Sequence, residues 1–142
     1  MKRILSIILT ALLVLLAFAG CAKQEEPMEE ITQAPVETTY AQITAEEAKN
    51  LMDTETDYVI LDARTEEEFA AGHIKSAILI PEYEVAERAE NELPDKDALI
   101  LVYCRSGRRS KIAAEELVKL GYTNVKEFGG IIDWPYEVVT EG

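Results

Sequence analysis

Residues 102–110 read Val102-Tyr103-Cys104-Arg105-Ser106-Gly107-Arg108-Arg109-Ser110. This stretch closes an apolar run, turns through a short loop with one glycine and three arginines, and opens a helical pattern. A thiol at such a junction lies where backbone N–H groups converge at the N-terminus of a helix. These groups and the arginines favour the thiolate over the thiol. The sequence therefore predicts that Cys104 is an activated cysteine in an anion-binding loop, with a small buried core cysteine as the alternative.

Outward from this stretch, short apolar runs alternate with helical patterns from residue 41 onward. The runs that predict buried strands are Tyr58–Leu61, Ala77–Ile80, Ala98–Tyr103 and Asn124–Phe128. The patterns that predict helices are 44–52, 65–72, 82–91, 108–120 and a last helix carrying Ile131, Ile132, Trp134 and Tyr136. Thr44 and Thr65, each followed three residues later by Glu, predict N-terminal capping boxes. This alternation predicts an α/β fold with a parallel sheet between two helical layers, in which ligands bind beyond the carboxyl ends of the strands.

The N-terminus has the pattern of a secretory signal. Lys2 and Arg3 precede the apolar segment Ile4–Phe18, which is shorter than the roughly 20 residues that span a bilayer comfortably. We therefore expect a signal peptide over residues 1–20, with an uncleaved membrane anchor as the alternative.

The residues that end this segment predict lipidation. Leu16-Ala17-Phe18-Ala19-Gly20-Cys21 resembles a bacterial lipobox, although Phe18 stands where Leu is usual. The resemblance implies cleavage before Cys21 and acylation of its thiol, and two or three acyl chains hold a protein stably at a membrane. We expect a protein of the cell envelope, anchored to a bacterial membrane with its domain outside the cytoplasm. An ordinary signal peptide that happens to contain a cysteine is the alternative.

An acidic segment separates this cysteine from the domain. Residues 21–40 are rich in Glu, contain Pro27 and Pro35, and show no periodicity, so they cannot bury enough surface to fold. As a flexible tether they would hold the domain, residues 41–142, on the order of 25 Å from the anchor.

Charge and cysteine content exclude several classes of function. The chain carries a net charge of −13, and loss of Lys2 and Arg3 makes it more negative, which argues against a nucleic-acid partner. If Cys21 is lipidated, Cys104 is the remaining thiol, and an intramolecular disulfide, a C-x-x-C redox site and a cysteine-rich metal site are all excluded. The single His excludes a histidine cluster, so we expect no metal and no cofactor. Nothing in the pattern demands a partner subunit, and we expect a monomer.

Three groups of residues, in this order, resemble the rhodanese family. They are Asp62-Ala63-Arg64 with Glu68-Phe69, Gly72-His73-Ile74, Ala77 and Ile80-Pro81; Cys104 to Ser110; and Leu120-Gly121-Tyr122 with Gly129-Gly130-Ile131-Ile132-Asp133-Trp134. The resemblance covers about residues 43 to 139 and implies a central parallel sheet of about five short strands with helices on both faces. Ser76 departs from it, because the family usually has Gly there.

The resemblance also implies a sulfurtransferase with a persulfide mechanism. The Cys104 thiolate would attack the outer sulfur of thiosulfate or another sulfane donor, and a thiol or cyanide acceptor would remove that sulfur. The residues implied to bind substrate are Arg105, Ser106, Gly107, Arg108 and Arg109. Of the arginines we favour Arg109, because it closes the loop against the start of the helix.

Other residues of the signature receive structural roles. We expect Asp62 and Arg64 to pair or cap locally near the site. His73 is expected to make a structural hydrogen bond, and Trp134 to lie in the core.

Two other functions compete with sulfur transfer. Dual-specificity phosphatases and arsenate reductases use Cys-x5-Arg, usually with His before the Cys, whereas Tyr103, Cys104 and Arg109 give Cys-x4-Arg here. The shorter loop suits a sulfur atom and is tight for a phosphoryl group. A persulfide carrier or a non-catalytic binding module at the cell envelope remains the second alternative, which the sequence cannot separate from an enzyme.

Overall fold

The computed structural model describes residues 39–140. The predicted signal peptide, Cys21 and nearly all of the tether lie outside these residues. The strands are β1 (Ala41–Gln42), β2 (Tyr58–Asp62), β3 (Ile78–Leu79), β4 (Leu99–Cys104) and β5 (Val125–Gly130). The helices are α1 (Ala45–Thr54), α2 (Glu66–Ala71), α3 (Val85–Glu92) and α4 (Arg108–Lys119), with 3-10 turns at Glu82–Glu84 and Ile131–Asp133.

The five strands form one sheet in the order β1-β5-β4-β2-β3, and every pair is parallel. This confirms the predicted α/β architecture. β4 lies at the centre of the sheet and all six of its residues are buried. The centre of a parallel sheet is shielded on both faces, so β4 can present a reactive side chain at its carboxyl end away from bulk water.

Successive side chains of β4 point to opposite faces of the sheet and pack into two separate hydrophobic cores. Ile100, Val102 and Cys104 pack with α3 and α4 on one face, whereas Leu101 and Tyr103 pack with α1 on the other. Cys104 therefore lies on the face covered by α3 and α4. Within residues 39–140, the helices are all too short or too polar to cross a membrane.

Several local predictions are confirmed. Thr44 and Thr65 both form capping boxes, each accepting from the backbone of the Glu three residues on. Ser76 has a φ of 68°, in the left-handed region that favours glycine, which explains why the family usually has Gly there. Trp134 is buried against Phe128, as expected for a core residue.

The predicted last helix is wrong. The chain makes only the short turn Ile131–Asp133, and Trp134 leaves it in an extended conformation with a ψ of 108°. Pro135 explains this, because proline disfavours helical backbone in the residue before it. The predicted helix over 82–91 also begins differently, since its first three residues form a 3-10 turn.

Candidate active site

The site is built where β4 ends and α4 begins. The Cys104 side chain is 1% exposed, and Arg105 and Ser106 lead into Gly107, which has a φ of 96° that suits glycine. The backbone N–H of Gly107 turns back and donates to Cys104 Sγ at 3.1 Å. The predicted loop is therefore a cradle of backbone donors around one sulfur atom.

A glycine on the neighbouring strand sets how tightly this loop packs. Gly130 pairs with Cys104 across β4 and β5, at an irregularity in the register that follows Val102. A Cβ on Gly130 would lie 2.2 Å from the carbonyl oxygen of Arg105 and 2.5 Å from Ser106 Cα. The same carbonyl accepts from the backbone N–H of Ile132 at 3.2 Å. The loop is thus held against β5 by a contact that only glycine permits.

Two opposed effects act on the thiol. Burial raises the pKa of Cys104, because the thiolate loses hydration. Interactions with the side chain and backbone of Ser110 and with the N–H groups of Gly107 and Ser106 act in the opposite direction and outweigh burial. The net result is a pKa below the ordinary value for cysteine, as required of a sulfur nucleophile near neutral pH.

The three arginines of the loop occupy different positions. Arg105 and Arg108 are exposed, whereas Arg109 is held by Glu68 in a two-point contact, with distances of 2.6 and 2.8 Å between nitrogens and carboxylate oxygens. The bonds from Arg109 lower the pKa of Glu68 to about 2, so the pair stays charged at neutral pH. Arg109 is also close enough to the Cys104 thiolate for their opposite charges to attract. Its guanidinium is therefore held by Glu68 within electrostatic range of the sulfur.

Asp62 and Arg64 form a buried ion pair at the end of β2. Arg64 donates to both oxygens of Asp62, with distances of 2.6 to 3.0 Å, and also to the carbonyl of Gly72 at 2.7 Å. The guanidinium lies over the ring of Tyr103, 5.6 Å from its centroid. These contacts join β2, β4 and the loop after α2 into one frame beside the site.

His73 takes part in packing. Its ring stacks on the ring of Phe69 with 3.7 Å between centroids, and its Nδ1 lies 2.9 Å from the carbonyl oxygen of Phe69. The side chain is 5% exposed, and its backbone pairs with Val139. The structure places this histidine in a structural role.

The sequence interpretation missed two acidic residues that shape the site. The sequence pattern assigns Glu68 only to a helix cap and to the family signature, and it assigns no role to Glu127. Glu127 is 2% exposed, and it accepts from the hydroxyl of Ser110 at 2.6 Å. A signal for it did exist, because a glutamate inside a short strand predicted to be buried is unusual. Within the described part of the chain no group of three or more His, Cys, Asp or Glu side chains is placed to hold a metal ion.

Comparison with known proteins identifies relatives of this arrangement. Residues 44–135 match the family described as "Rhodanese-like domain". The chain is 42% identical over 73 residues to the thiosulfate sulfurtransferase PspE of Escherichia coli, covering 51% of this chain and 70% of that protein. It is 41% identical over 88 residues to a sulfurtransferase of Allochromatium vinosum, covering 61% of this chain and 79% of the other.

A solved structure also places this chain among rhodanese relatives. The structure described as a rhodanese with anions from E. coli superposes with a TM-score of 0.56 and 38% identity, covering 59% of this chain and 99% of that one.

Proposed function

Because this chain belongs to the rhodanese-like family, we propose that it transfers a sulfane sulfur from thiosulfate or a similar anionic donor to a thiophilic acceptor through a persulfide on Cys104. The observation that carries the proposal is the cradle of backbone donors that turns toward the buried Cys104 Sγ, with the guanidinium of Arg109 held within electrostatic range. Relatives named as sulfurtransferases support the class of reaction.

In the first half-reaction the Cys104 thiolate attacks the outer sulfur of thiosulfate. A bond forms between Sγ and that sulfur, the S–S bond of thiosulfate breaks, and sulfite leaves with the bonding electrons. The negative charge moves to the terminal sulfur of the persulfide. In the second half-reaction cyanide or a thiolate attacks the terminal sulfur, and the Cys104 thiolate is restored. Two easier displacements replace one direct transfer, which is the usual advantage of covalent catalysis.

The loop explains why an anionic donor is favoured. The backbone N–H groups of Ser106 and Gly107 face the sulfur, and Arg109 adds a fixed positive charge. Arg105 and Arg108 remain exposed at the rim, where they can attract the donor and the departing sulfite. The rest of the chain is strongly acidic and repels small anions, whereas the arginines of this loop attract them to the site.

Steady-state kinetics with thiosulfate and cyanide test the proposal. We expect thiocyanate to form with ping-pong kinetics, seen as parallel double-reciprocal lines, because sulfite leaves before cyanide reacts. Intersecting lines would contradict a persulfide intermediate. Stoichiometric loading by thiosulfate without turnover by cyanide would favour the alternative of a persulfide carrier, and absence of both would favour a binding module.

We further propose that Cys21 carries the lipid anchor and that the domain acts at the cell envelope. The lipobox-like residues and the acidic tether support this location. In a bacterial host, the full chain is expected to partition into the detergent phase of a phase-separating detergent, and Cys21→Ser to partition into the aqueous phase or accumulate with its signal uncleaved. Detergent partitioning and cleavage that are unchanged in Cys21→Ser would contradict lipidation at this residue.

A further inference from the structure

Arg109 is the least exposed of the three loop arginines, and it is paired with a carboxylate. Its Nη1 and Nη2 donate to the two carboxylate oxygens of Glu68 at 2.6 and 2.8 Å. The two side chains are 18% and 28% exposed, so water screens this pair less than it screens a pair on the open surface. The contact uses one N–H of each terminal nitrogen and leaves the Nε–H and the outer N–H groups for another acceptor. Arg109 can therefore meet an anionic donor while it still holds Glu68.

Glu68 is also held by its own helix. It is the N3 residue of the capping box of α2, and its Oε2 accepts from the N–H and the hydroxyl of Thr65, both at 3.2 Å. The hydrogen bonds from Arg109 are the main cause that lowers the pKa of Glu68 to about 2. A carboxylate held from two sides keeps its place and its charge at the pH where a thiolate reacts. A donor that approaches Cys104 therefore meets Arg109 together with one permanent negative charge.

Other charged groups around Arg109 come from three further parts of the fold. Glu82, in the 3-10 turn that precedes α3, and the Cys104 thiolate at the end of β4 both attract its guanidinium. Arg105 and Arg108, in the loop and at the start of α4, are exposed to water. The positive charge of Arg109 is thus already offset by carboxylates before a donor binds.

We propose that Glu68, by pairing with Arg109, lowers the positive charge that faces the donor and shifts the preference of the site from doubly charged thiosulfate toward singly charged sulfane donors such as thiosulfonates. This inference rests on the proposed sulfur-transfer function and names the class of donor within it. Glu68 is then a specificity-determining residue that acts through Arg109.

The charge of the donor explains the effect. The energy of an anion beside a fixed negative charge is proportional to its own charge, so Glu68 disfavours a doubly charged donor about twice as strongly as a singly charged one. The chemistry is the same for both donors. The Cys104 thiolate forms a bond with the outer sulfur, the S–S bond breaks, and sulfite leaves from thiosulfate, or a sulfinate from a thiosulfonate, with the bonding electrons. Charge is conserved in each case, and the two donors differ by one negative charge on the departing group.

The test compares kcat/KM for two donors, thiosulfate and methanethiosulfonate, in the full chain with cyanide as the acceptor. In a ping-pong reaction this parameter reports the donor half-reaction alone. Changes common to both donors, such as a change in the thiolate fraction of Cys104, cancel in the ratio of the two values. Glu68→Gln removes the charge and keeps an oxygen for Arg109 and Thr65, and Gln also suits this position of a capping box.

In Glu68→Gln we expect the ratio of kcat/KM for thiosulfate to that for methanethiosulfonate to rise about threefold, the size of effect that a partly exposed charge has. An unchanged or lower ratio overturns the proposal.

Two matched variants separate this role from a general effect of charge. Glu47→Gln alters the same position of the capping box of α1, where the carboxylate is exposed and accepts from Thr44. Glu67→Gln removes a charge from the exposed neighbour of Glu68 on α2. Both are expected to leave the donor ratio nearly unchanged, and a rise equal to that in Glu68→Gln overturns the specific role of the pair.

Glu68→Asp separates the charge from the placement of Arg109. Asp keeps the negative charge but is shorter by one methylene, so it holds the guanidinium less well. We expect a lower kcat/KM for both donors, with their ratio nearly unchanged. A rise in the ratio as large as that in Glu68→Gln would show that the placement of Arg109 sets the preference, and it would overturn the argument from charge.

Failure of the sulfur-transfer function can be told apart from failure of this inference. If the unsubstituted chain turns over neither donor, the transfer function fails. Protection of Cys104 from iodoacetamide by two unreactive anions, doubly charged sulfate and singly charged methanesulfonate, then still measures discrimination by charge. A larger gain in protection by sulfate than by methanesulfonate in Glu68→Gln supports the role of Glu68, and equal changes overturn it.

Discussion

Replacement of Cys104 by Ser is expected to lower thiocyanate formation at least about 10³-fold, because a serine hydroxyl at this position is not an effective nucleophile toward sulfur near neutral pH. The loop that lowers the pKa of the thiol cannot lower the pKa of a serine hydroxyl enough to ionise it near neutral pH. No other cysteine lies within residues 39–140 to take over the role. The measurement is the steady-state rate with thiosulfate and cyanide at saturating concentrations of both.

The fold of this variant should be nearly unchanged. Cys104 is fully packed, but oxygen is smaller than sulfur and can still accept from the N–H of Gly107. We expect thermal unfolding within a few degrees of the unsubstituted chain. A folded Cys104→Ser protein that retains more than a tenth of the activity would show that the sulfur is transferred without this residue.

Replacement of Gly130 by Ala is expected to lower the transfer rate by roughly 100-fold, because a displacement of about 1 Å in a reacting group has effects of this size. The added Cβ would lie 2.2 Å from the Arg105 carbonyl oxygen, a distance that the backbone can relieve only by moving. Gly130 itself has an extended backbone with a φ of −125°, which alanine adopts freely. The effect therefore comes from the displaced loop and not from backbone strain at residue 130.

Gly121 provides the matched comparison. It has a φ of 92°, and a Cβ there would meet only Lys96 Cδ, at 3.9 Å. Gly121→Ala should destabilise the fold by about 1–2 kcal/mol through backbone strain while the transfer rate of the folded protein stays the same. If Gly130→Ala retains full activity with an unchanged melting temperature, the close packing of the loop on β5 has no part in catalysis.

Local signals predicted much of this fold because their causes lie within a few residues. The capping boxes of Thr44 and Thr65 each depend on a Glu three positions away, and the strand that ends at Cys104 is a continuous apolar run. β1 was missed, because two residues carry no periodicity and form a strand only by pairing with β5. The prediction of a last helix was wrong because the effect of Pro135 on the preceding backbone outweighs the apolar pattern around it.

The residues of the candidate site also fall into those that local sequence predicts and those that only tertiary contacts bring together. Cys104, Gly107 and the arginines follow one another along the chain, so the sequence brings them together directly. The partner of Arg109 is Glu68, 41 residues away, and the partner of Ser110 is Glu127, 17 residues away. Such pairs are chosen by the register of strands and the placement of helices, which the sequence alone does not specify. The contacts of Glu68 with Arg109 and of Glu127 with Ser110 could therefore be identified only in three dimensions.

In the proposed reaction, Cys104 carries the sulfur between donor and acceptor. Its most direct test is the mass of the full chain after incubation with thiosulfate and removal of excess donor. We expect a gain of one sulfur atom, located on the peptide that contains Cys104, removed by cyanide and absent in Cys104→Ser. An unchanged mass with thiosulfate and with other sulfane donors, in a folded protein, would contradict the persulfide mechanism and leave a binding module as the better description.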